Sequence, residues 1–121
     1  MPNWQPNWQD VRWDFAAAER AASELDRAAD QLDRTSAARR QASERATAQW
    51  FGVYRAQFDV LVAGTLSTAH FLAGAFRDAA LRIRRASVQA WDEQQRRIAD
   101  RNRWRAEKAK EDAAAAAKAH H

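Results

Sequence analysis

A chain of 121 residues with only two Pro, three Gly and no Cys has room for one domain and little of the turn punctuation of a strand-rich fold. The missing thiols exclude disulfides, thiolate metal sites and cysteine nucleophiles. The net charge of +4 is unevenly placed: residues 1–76 carry 8 Lys/Arg against 9 Asp/Glu, and residues 77–121 carry 12 against 7.

Both prolines fall in a tandem repeat, Pro2-Asn3-Trp4-Gln5 then Pro6-Asn7-Trp8-Gln9. Pro6 suits the first turn of a helix, and Asp10 is an alternative N-cap. Trp4 and Trp8 would share a face if helical. Residues 1–9 are read as a Trp-containing arm that clamps onto the helical body, in preference to an arm that docks a partner.

From Asn7 onward there is no proline, and Ala, Arg, Glu, Asp and Gln dominate. These residues favour or tolerate helix, and no alternating apolar pattern suggests a strand. The expectation is an all-α chain, a helical hairpin over residues 10–110 followed by an Ala-rich tail over 111–121. His120-His121 at the end read as the remnant of a purification tag. The first helix is placed at 10–49. Its seam is Phe15, Ala18, Ala22, Leu25, Ala29 and Leu32, then a poorer run through Ser36, Arg39, Ser43 and Ala46 to Trp50. Asp30 and Arg34 are an expected charged pair along its outer face.

Trp50-Phe51-Gly52 is the one strong break. A Gly at a helix end permits the left-handed cap that other residues resist, and a Trp beside it can plug the corner of an antiparallel pair. Phe58 follows about two turns into the second helix, placed at 53–110. Its expected seam runs through Tyr54, Phe58, Leu61, Thr65, Thr68, Leu72, Ala75, Ala79, Ile83, Ala86 and Ala90.

Val60–Phe76 is a stretch without one formal charge, nearly apolar all round. Such a helix needs cover on more than one side. Equal spacing from the bend sets it against roughly 26–41, where the first helix is poorest. A second hairpin would supply the cover, giving a four-helix bundle with Val60, Leu61, Gly64, Phe71, Leu72, Gly74 and Phe76 at the dimer contact. The partner is left open between a second copy and a different hairpin. At about 1.5 Å per residue this stretch is short of the roughly 30 Å bilayer core, so a bundle interior is favoured over a membrane span.

Trp50, Gly52 and the aromatic Phe58, set mid-chain in a helical hairpin with Ala-rich flanks, resemble the WXG family. These are the early-secreted-antigen-like proteins exported by type VII (ESX) secretion systems. The resemblance implies a secreted hairpin that pairs with itself or another hairpin, as substrate, toxin partner or toxin targeting domain, with a toxin or the secretion ATPase as further partners. Members often carry a downstream signal, an aromatic one turn before an acid. Here Trp91 with Asp92 and Glu93, and Trp104 with Glu107, are degenerate versions of it. No Sec-type signal is visible at the N-terminus, so export would take a Sec-independent route from the cytoplasm.

No catalytic constellation, phosphate-cradling loop or metal-spaced cluster appears, so neither an enzyme nor a cofactor is expected. The basic surface is Arg82, Arg84, Arg85, Arg96, Arg97 and Arg101, broken by acids at helical spacing, with Asp92–Arg96 and Glu93–Arg97 as expected pairs. That pattern suits a solvated helix better than a phosphate track. The alternative function is a cytoplasmic coiled-coil protein whose basic C-terminal helix binds nucleic acid or an acidic partner.

Overall fold

In a computed structural model, residues 1–120 form two α-helices and, among these described residues, no strand. Helix α1 spans Phe15–Thr47 and helix α2 spans Val53–Ala119. The chain divides into two compact units. One is Phe15–Arg85, the hairpin; the other joins Met1–Asp14 to the chain from Ala86 on.

The hairpin is antiparallel. Arg77 on α2 pairs with Asp30 at 3.0 Å and Asp33 at 2.5 Å, and Arg84 with Glu19 at 3.1 Å and Asp26 at 2.7 Å. Equal spacing from Phe51 would have set Arg77 opposite residue 25. It lies about a turn or more further along α1, which puts the pivot of the hairpin near Val53. Asp30 consequently pairs across to Arg77, and Arg34 turns to Gln31 instead, at 3.3 Å.

The core is thin and made of alanine. Ala22 and Ala29 on α1, and Ala73 and Ala80 on α2, are fully buried, each pair seven residues apart as in a coiled-coil seam. Small side chains let the helices close up, but they remove little apolar area from water. The expected α1 seam holds from Ala18 to Ser36 and gives out at Arg39, which is exposed. On α2 the inward residues are Phe58, Val62, Leu66, Ala69, Ala73, Phe76 and Ala80. From Val62 to Phe76 this is one position round from the expected seam, so Leu61, Thr65, Thr68, Leu72 and Ala75 are exposed, while Phe58, Ala79, Ile83, Ala86 and Ala90 are partly buried as expected. Alanine burial decides the choice: the one-residue turn puts Ala73 and Ala80, rather than Leu72 and Ala79, at closest approach.

The arm differs from the sequence expectation. Residues 1–14 are not helical, and α1 starts at Phe15, with Asp14 in the position before it. Neither Pro6 nor Asp10 opens the helix. The arm lies extended along the C-terminal part of α2. Trp13 Nε1 donates to Ser87 Oγ at 2.9 Å, and the Met1 amine meets Glu111 at 2.6 Å. Twelve steps of arm thus track twenty-four of helix, about 3.0 Å per arm residue at a helical rise of about 1.5 Å, close to a polyproline-like extension. Helix α2 continues past residue 110 to Ala119.

Candidate functional site: the bend, the bare face of α2 and the strapped basic end

At the bend, Trp50 and Phe58 meet with ring centroids 5.5 Å apart and planes tilted by 45°. Gly52 has φ +103°, outside the range other residues adopt readily. Its place differs from the expectation. It does not close α1; its carbonyl accepts the first helical bond of α2, from Ala56 N at 3.2 Å. The end of α1 is closed by a residue the sequence reading passed over. Arg55 Nη1 donates to the carbonyls of Thr47 at 2.5 Å and Trp50 at 2.8 Å, while its Nε is held by Asp59 at 3.0 Å. The Thr47 carbonyl also accepts the Trp50 amide at 3.0 Å, so Arg55 adds a second donor there, and a cation beside the end of α1 suits the helix dipole. An Arg eight residues after a helix end, with an acid four residues further on, is a signal only once the turn length is known. Trp50 is 39 % exposed, a partial plug rather than a buried one.

The bare face of α2 is the main feature of the hairpin unit. Val60 is 73 % exposed, Leu61 70 % and Phe71 74 %. Leu72 and both glycines are exposed too; of the seven expected contact residues, Phe76 alone turns partly inward against α1. Nothing lies within 4 Å of a Cβ built at Gly64 or Gly74. Between the helices near the bend, Phe58, Leu61, Val62 and Leu66 face Arg39, Ala42 and Ser43 across an open apolar groove of about 360 Å³. An 18-residue window of α2 reaches a mean hydropathy of 1.3 with 6 % of it buried. By length and composition α2 is therefore long and apolar enough to cross a bilayer, which the count from Val60 to Phe76 put just below the requirement.

The basic end is occupied by the arm. Trp104, 9 % exposed, donates from Nε1 to the Trp4 carbonyl at 2.9 Å and stands edge-on to Trp8 at 5.3 Å. Trp4 in turn donates to Glu107 at 2.7 Å. The tandem repeat now has a physical reading: each unit engages the same indole of α2, Trp4 through its carbonyl and Trp8 through its ring, and Pro2 and Pro6 are buried. Trp104 and Glu107, the second degenerate signal candidate, are thus committed to the arm. Trp91, from the first degenerate signal candidate, is 56 % exposed and makes no ring pair among the described residues. Glu93 holds Arg96 and Arg97, and the expected Asp92–Arg96 pair is replaced by it.

Most of the basic surface is likewise engaged. Arg101 binds Asp10 at 2.8 Å and the carbonyls of Asn7 and Gln9; Arg97 binds the Gln9 carbonyl at 3.1 Å. Asp10 sits below its ordinary carboxylate value because of the hydrogen bonds from Gln94 and Arg101. Glu19 is lowered by Arg84, whose own guanidinium is held charged by Glu19 and Asp26. Arg103 and Arg105 lie over the rings of Trp4 and Trp8. Arg82 and Arg85 are exposed, and no carboxylate pairs with either among the described residues. A phosphate track would need the cations now spent on the arm.

His70 is exposed on α2, and among the described residues no group of His, Asp and Glu could hold a metal ion. No family model, curated protein or solved structure matches this chain.

Proposed function

We propose that this chain is a non-enzymatic, type VII secretion-associated hairpin that works by pairing with another helical hairpin, as secreted substrate, toxin partner or toxin targeting domain. The observation that carries the reading is the bare face of α2, which leaves Val60, Leu61 and Phe71 in water. An alanine core gives the hairpin little stabilisation of its own, and a contiguous apolar surface of this kind marks an interaction site. A second hairpin laid on that face would supply the apolar burial that α1 does not. The type VII assignment rests on Trp50, Gly52 and Phe58 at the corner of the hairpin, the residues that carry the WXG resemblance.

The test is a blot of culture filtrate from the native host, with and without the secretion ATPase. ATPase-dependent appearance outside the cell supports the reading. Retention in the cytosol in both strains, with a clean lysis control, sinks the secretion assignment and leaves a pairing hairpin.

A further inference from the structure

Resting on the pairing reading above, we propose that the occupant of the bare face is a second copy of this chain, antiparallel. The register sets Phe71 of each copy into the gap at Gly74 of the other, and Leu81 into the gap at Gly64.

The stripe that runs from Val60 to Arg85 on the side away from α1 advances by alternate steps of four and three. This is the repeat that keeps one seam facing a partner helix. Every position on it is exposed. Two are glycines, which weaken a helix interior and have no packing reason within this chain, since nothing lies near either one. Their placement makes sense where another backbone or a large side chain comes close from outside. At Gly74 the surface already dips into a hollow of about 330 Å³ lined by His70, Phe71, Ala75 and Asp78.

Antiparallel pairing about a two-fold axis between Leu72 and Ala73 matches the stripe with itself. It sets large against small twice, Phe71 with Gly74 and Leu81 with Gly64. It sets Asp78 against the Ser67 hydroxyl, which can donate to the carboxylate, and the Arg85 stem against Val60. A parallel in-register pair does the reverse, setting Phe71 on Phe71, Asp78 on Asp78 and Arg85 on Arg85. Like charges meet there and the glycine gaps stay empty. Asp78 and Arg85 carry no ion pair among the described residues, so in a parallel pair nothing within the chain offsets that repulsion. A self-complementary patch is also what a two-fold dimer requires.

Because the chain has no cysteine, introduced thiols report the register directly. Ser67→Cys and Asp78→Cys variants are mixed and treated with a short thiol-to-thiol cross-linker. The expected product is a 67–78 dimer in the mixture, with neither variant joining to itself, because like positions lie eleven residues apart along the pair. Same-site products, or a wild-type dimer that gives no 67–78 product, overturn this register and leave pairing intact. A wild-type chain that stays monomeric and pairs only with a different hairpin overturns the second copy as occupant.

A swap provides the second test. Phe71→Gly and Gly74→Phe alone are each expected to weaken the dimer on the order of tenfold. The F71G/G74F double variant restores it, because large still meets small. Failure of the double variant to recover, with helix content by circular dichroism unchanged, counts against the register.

Discussion

Replacing Trp104 with Ala isolates what holds the arm. Among the described residues, Trp104 is the only large apolar side chain that is buried. It contributes an edge-on pair with Trp8, a hydrogen bond to the Trp4 carbonyl and a face under the Lys108 ammonium at 5.8 Å. A buried Trp→Ala change removes about 3–5 kcal/mol where a core must tolerate the cavity. Here the loss is capped, because an arm of fourteen residues can simply leave the helix. Once its docking free energy is gone nothing more can be lost. The aromatic pair and the hydrogen bond together are worth about 1–3 kcal/mol, and the burial adds to this. A population shift of that size releases the arm in most molecules while α2 stays helical. The assay is hydrogen exchange of residues 1–14 with circular dichroism in parallel. The expected result is collapse of protection at Val11, whose amide bonds Gln94 at 2.7 Å, with helix content kept. Wild-type protection in the variant would refute the account of the tandem repeat.

Other perturbations follow from the bend and the ion pairs. Arg55→Ala removes the side-chain donor shared by the Thr47 and Trp50 carbonyls, Thr47 keeping its bond from the Trp50 amide, and should cost about 1–2 kcal/mol in thermal unfolding, less than a buried charged bond because the site is partly solvated; an unchanged melting temperature would remove Arg55 as the cap. Trp50→Ala should cost about 1–2 kcal/mol rather than a full core value, since the ring is 39 % exposed; melting like wild type would deny the corner its aromatic pair. Gly52→Ala should cost about 1–3 kcal/mol because φ +103° strains a side chain. Acid should loosen both units. Asp10 and Glu19 have folded values below their ordinary 3.8 and 4.5, so their stabilisation is complete above those values and lost as pH falls through the lowered ones. A melting temperature flat from pH 5 to about pH 2 would contradict those pairings.

The helical content, the hairpin and the position of its corner were legible in the sequence because they rest on local signals: proline-free Ala-rich runs, three-and-four spacing, and one Gly in the middle. Phe58 against Trp50 follows from the same spacing. The Trp arm clamping onto a helix was legible, but the start of α1 was misplaced because Pro6 and Asp10 are acceptable helix starters locally; partners about a hundred residues away, Trp104 and Arg101, hold the arm extended. Between Leu61 and Ala75 the α2 seam slipped by one position for a related reason. Leu61 and Leu72 look like the natural core, but the hairpin closes on Ala73 and Ala80, and the leucines are left for another surface. On the basic surface the local Glu93–Arg97 pair was legible, but the acids and carbonyls distant in sequence that hold Arg84, Arg97 and Arg101 were not.

The bare face of α2 is the centre of the account, and the mass of the purified chain in solution tests it most directly. Sedimentation equilibrium over a wide concentration range is predicted to give twice the 13.8 kDa chain mass, dissociating on dilution and shifting towards monomer in Gly74→Phe. A monomer at every concentration, with Val60 and Phe71 left in water, would contradict it.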